Sequence, residues 1–79
     1  MKLKETNIIN CRTETGKVFG YAFRFNNDNT LQAAYFIGSG GDIFPVPLEE
    51  YQDVCADDEV TVEYMDKFFN TKVIDVWID

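Results

Sequence analysis

The chain has no histidine, only two cysteines, Cys11 and Cys55, and a single tryptophan, Trp77. Without imidazole there is no Ser–His or Cys–His nucleophile and no histidine-based metal site. Two thiols alone cannot complete a tetrahedral zinc site. No run approaches the roughly 18 apolar residues of a membrane-crossing helix. The opening "MKLKETNIIN" lacks the apolar core of a secretory leader. These absences lead to the expectation of a cytoplasmic chain with reduced thiols, no cofactor, no metal and no membrane partner. Basic residues are missing locally as well: from Asp42 to Asp66 there are nine acids and no lysine or arginine.

Three short motifs fall below the pattern their chemistry needs. "GSGGD", Gly38 to Asp42, has neither the lysine nor the following Ser/Thr of a phosphate loop. "NNDN", Asn26 to Asn29, and "ADDE", Ala56 to Glu59, hold carboxylates and amides without the spacing and distal glutamate of a calcium loop. Carboxylate pairs could serve general acid–base chemistry, but a domain this small rarely encloses the pocket such a site needs. The expectation is that the chain is not an enzyme.

What is present is aromatic and acidic. Of 79 residues, 46% are hydrophobic and 15% aromatic, too rich for a disordered chain and enough for one small domain. A chain of this size buries only about 60% of its unfolded surface, so large rings matter to its core. Charge is unevenly placed. Residues 1–40 carry five bases and three acids, a net of +2; residues 41–79 carry two bases and eleven acids, a net of −9.

Period-two alternation predicts strands over Glu5–Thr13, Val18–Asn26, Thr30–Ile37, the segment "EVTVEYM" (59–65) and "KVIDVWID" (72–79). Gly16 and the Asn26–Asn29 loop supply turns. Helical spacing of Leu48, Tyr51 and Val54, after Pro47, predicts a short helix near 47–55. In the third strand Leu31, Ala33, Tyr35 and Ile37 are expected on the inner face. In the fourth, Val60, Val62 and Tyr64 face inward and Met65 outward; in the fifth, Ile74, Val76 and Ile78 face inward and Trp77 outward. Phe68 and Phe69 fall in a connection, where one of them could join Trp77 in an exposed patch.

The expected fold class is mainly β (α+β): a five-stranded antiparallel barrel or a strongly twisted sheet, as one domain over 1–79. The order β-β-β-α-β-β is OB-like. "GYAFRF" and "GDIFPV" resemble the paired aromatic strands of cold-shock domains, a likeness of topology. The basic residues and histidine of those strands are scarce or absent here.

Two surfaces are candidates for function. The acids Glu49, Glu50, Asp53, Asp57, Asp58, Glu59, Glu63 and Asp66, with Trp77 as a second element, would suit a basic protein surface. In size, acidity and aromatic content the chain resembles phage-encoded inhibitors of host nucleases and polymerases. That resemblance implies an inhibitor or adaptor, with carboxylates standing in for phosphates. The alternative is a stacking row of Tyr21, Phe23, Phe25 and Tyr35 for single-stranded nucleic acid, which a net charge of −7 makes a poor partner. A third reading is a structural subunit that self-associates through sheet edges and Trp77.

Overall fold

In the computed structural model, which describes residues 1–79, five antiparallel strands form one sheet. They are β1 (Ile9–Thr13), β2 (Val18–Phe25), β3 (Leu31–Ile37), β4 (Ile43–Pro45) and β5 (Val73–Ile78). The spatial order is β4-β3-β2-β1-β5: four strands meander, and the last returns to pair with the first. β4 and β5 are free edges, so the sheet is open and not closed into a barrel.

The hairpin turns follow from local chemistry. Gly16, at φ 87°, supplies the β1–β2 turn where a Cβ would be strained. Between β2 and β3, Asn29 takes φ 70°, and the Asp28 carboxylate accepts from the Thr30 backbone N–H at 3.1 Å and from its hydroxyl at 2.6 Å.

Two expectations about element identity are corrected. The segment near 47–55 is a 3-10 turn over Leu48–Tyr51 with no fully buried residue. The segment 59–65 is not a strand: Val62–Asp66 is the helix α1. Thr61 caps it, its hydroxyl accepting from the Tyr64 N–H at 3.0 Å, and Met65 becomes its one buried residue. The missing strand is β4, three residues ending on Pro45. The helix therefore follows the fourth strand, and the order that suggested an OB fold is not the order observed.

Two bulges alter the inner face. Between β2 and β3 the partners run Phe23 with Ala34, Arg24 with Ala33, then Phe25 with Leu31. Gln32 is the extra residue. Ala34, Phe36 and Leu31 thus lie with Tyr21, Phe23 and Phe25, whereas Ala33, Tyr35 and Ile37 lie on the other face. Between β1 and β5, Arg12 pairs with Asp75 and Thr13 with Val73, leaving Ile74 unpaired. Val73, Val76 and Ile78 face the core; Ile74, expected inside, is 52% exposed.

The core sits on one side of the sheet only. Leu3, Ile9, Cys11, Tyr21, Phe23, Val54, Met65 and Val73 are buried together, drawn from three strands, the N-terminal turn, α1 and the loop before it. The aromatic row is the center of this layer: Tyr21 stacks on Phe23 at 5.7 Å, and both meet Tyr51 and Phe68. Phe68 and Phe69 are both half-buried in this cluster, on the side away from Trp77. Burial of the hydroxyl, then its bond with Tyr51, raises the Tyr21 pKa.

Candidate functional site

The 3-10 turn, the loop from Gln52 to Val60 and α1 form the layer over the core, and all eight singled-out acids belong to it. Tyr51, Val54, Ala56 and Met65 anchor these elements, leaving carboxylates on the solvent side. They play unequal parts. Asp58 accepts from the Tyr64 hydroxyl at 2.7 Å and from the Cys55 N–H at 3.0 Å, tying the loop to α1. Asp66 accepts from the Val73 N–H at 2.8 Å, latching α1 to the start of β5. These two are structural. The Tyr64 pKa is raised by burial first, then by its hydrogen bond to Asp58.

Three others have ionic partners. Asp53 lies 3.8 Å from Lys67, whose ammonium sits 4.0 Å from the Tyr64 ring center. Asp57 is 3.9 Å from Lys2, and Glu59 is 3.0 Å from the amino group of Met1. The first residues run beside this loop, Leu3 N–H donating to Asp58 O at 2.8 Å and Lys4 N–H to Ala56 O at 3.1 Å. The charge imbalance between the halves of the sequence is thus partly neutralized in space. Such exposed pairs contribute about 0–1 kcal/mol and exchange readily for another cation. Glu49, Glu50 and Glu63 have no ion pair.

Trp77 is not part of this surface. It pairs with Asn10 on the opposite face of the sheet, half-buried, with the Arg12 guanidinium 5.0 Å from its ring center. Asp75 beside it pairs with Arg12 at 3.4 Å. The acids and the tryptophan, expected as one site, occupy two sides of the molecule.

Nor do the four aromatics of the alternative site share a surface. Tyr21 and Phe23 are 5% and 2% exposed, Phe25 packs on the core, and Tyr35 lies on the far face. A stacking platform needs rings open to solvent.

Sequence reasoning passed over what lies on that far face. Ile37 and Ile8 close over Gly20, where an added Cβ would meet Ile37 at 3.2 Å and Ile8 at 3.5 Å. Beside them a shallow groove of about 280 Å³ runs over Ala22, lined by Ile8, Arg24, Tyr35, Ile37 and Ile43. No helix or turn covers it. The signal was the incomplete alternation of β2 and β3, which place apolar residues on both faces.

The remaining chemistry is sparse. Cys11 is buried and Cys55 exposed, both free, and burial pushes the Cys11 thiol up to about 12. No group of three or more cysteine, aspartate and glutamate side chains could hold a metal ion, and no helix is long and apolar enough to cross a membrane. Compared with protein-family models, curated proteins and solved structures, the chain finds no match in any of the three, so its chemistry rests on its own geometry.

Proposed function

We propose that the chain is a non-enzymatic protein-binding module whose acidic layer docks on a basic protein surface, as an inhibitor or adaptor whose carboxylates occupy the place of nucleic-acid phosphates. One observation carries this reading: the acids of residues 49–66 project from a single layer in which Glu49, Glu50 and Glu63 hold no ion pair and Asp53, Asp57 and Glu59 hold only weak ones. A concentrated negative field speeds association with a positive partner by about tenfold or more and discriminates against acidic ones.

The layer's composition decides how the reading is tested. Reversing Asp57, Asp58 and Glu59 together would break the Asp58 bonds to Tyr64 and Cys55 and confound binding with folding. The triple variant Glu49→Lys, Glu50→Lys, Glu63→Lys touches no hydrogen bond of the fold. Capture from the native cell at about 0.05 M and about 0.5 M salt spans Debye lengths from about 14 to 4 Å. Basic proteins should be retained by the native chain at low salt, released at high salt and missed by the triple variant. An identical captured set from both chains would sink the reading.

A further inference from the structure

We propose that the uncovered face of the sheet is a self-association surface, taken by a second copy of the chain packed back to back about a twofold axis. An antiparallel sheet with one face in water alternates apolar and polar residues; one with apolar residues on both faces needs a layer on each. β2 and β3 are of the second kind. Beyond the core side they carry Gly20, Ala22, Ala33, Tyr35 and Ile37, and neighboring Ile43 is 65% exposed. Only one layer exists within the chain, because α1 and both 3-10 turns pack on the core side.

Charge selects the occupant. The uncovered face holds Arg12, neutralized by Asp75, and Arg24, which donates to the Phe23 and Asn7 carbonyls at 3.1 and 3.3 Å. With Asp79 beside Ile8 at its rim, it is close to neutral in a chain of net charge −7. The acids sit beyond the core on the other side. Sheets pack about 10 Å apart, so back-to-back copies hold their acidic layers more than two Debye lengths apart at physiological salt, about 8 Å each. Other pairings of two −7 chains bring acidic layers closer together. Five strands at about 4.8 Å spacing and about 20 Å length give a footprint near 480 Å² per copy. That is the low end of specific interfaces, the size of a reversible dimer.

Sedimentation velocity over a dilution series, at low and high salt, tests this on the full chain. The expected result is a monomer–dimer equilibrium that tightens as salt rises from about 0.01 M, where the Debye length is about 30 Å, to about 0.15 M, since screening over that range relieves repulsion between the acidic layers. Ile43→Asp, at an exposed position that leaves the core intact, should weaken it by at least about tenfold, with an unchanged circular dichroism spectrum. The triple Glu49→Lys, Glu50→Lys, Glu63→Lys variant should leave the dimer in place, which separates this inference from the proposed function. A monomer at every concentration overturns the proposal. So does a dimer that salt dissociates or that Ile43→Asp leaves intact. Binding of a short single-stranded DNA by the native chain that Ile43→Asp abolishes would also overturn it, by assigning the face to nucleic acid.

Discussion

Replacing Met65 with alanine tests the element that most changed the reading of this chain. α1 has five residues, far below the roughly 12 an isolated helix needs in water. It persists because Met65 is fully buried among the core residues while Thr61 and Asp66 fix its two ends. Truncation to alanine removes the side chain beyond Cβ from a packed site and leaves a cavity, a change that costs about 2–5 kcal/mol. Taking about 3 kcal/mol against a total of about 4–12 kcal/mol for a domain of this length, the variant loses a quarter or more of its stability. With a urea dependence of about 1 kcal/mol per molar, the midpoint should fall by about 3 M. Urea titration followed by Trp77 fluorescence and far-ultraviolet circular dichroism reads this directly. Were residues 59–65 a strand, Met65 would face solvent, and its truncation would cost no more than about 0.5 kcal/mol. A midpoint shift below about 0.5 M therefore refutes the helix and its peg.

Thiol labeling near pH 8 should modify one cysteine per folded chain, Cys55, with Cys11 reacting only on unfolding; rapid labeling of both would contradict the burial of Cys11. The linked stability has a definite sign. Burial raises the Cys11 pKa from 9.0 to about 12, so its contribution is fully present below pH 9 and is lost as pH climbs toward 12, measurable as a falling urea midpoint. In the β2–β3 loop, the hydroxyl and backbone N–H of Thr30 hold the Asp28 carboxyl below its ordinary 3.8. Thr30→Ala should raise the Asp28 pKa toward that value in a nuclear magnetic resonance titration, and an unchanged value would show that the backbone N–H alone holds it down.

Alternation revealed β1, β2, β3 and β5 because each is at least five residues long and flanked by turn-forming residues. β4 escaped because three residues, the last of them Pro45 and with Pro47 close behind, show no period. "EVTVEYM" misled because its β-branched valines alternate with polar residues, and one short helical turn offers too few positions to show a 3.6 period. The threonine cap three residues before Tyr64 was the available sign. Inner faces were misassigned beyond Gln32 in β3 and at Val73 and Ile74 in β5, while Val76 and Ile78 lie inward as expected, since one extra residue turns the side chains on one side of it over and leaves no mark in composition. For the site, the acidity of the layer was legible, but the separation of Trp77 from it was not. That separation depends on which side of the sheet the connections cross, a tertiary choice.

The order β4-β3-β2-β1-β5 also bears on how the chain is made. Strands β1 to β4 are joined by short turns and can zip together as they leave the ribosome. The partner of β1 on its other side arrives last: Asp75 meets Arg12 across 63 residues of sequence. Until then β1 is an open edge, and the places that Val73, Val76 and Ile78 take against the core are empty. Nascent chains stalled before β5 should be the ones chaperones hold, and C-terminal truncations should aggregate in a way that single substitutions on the surface do not.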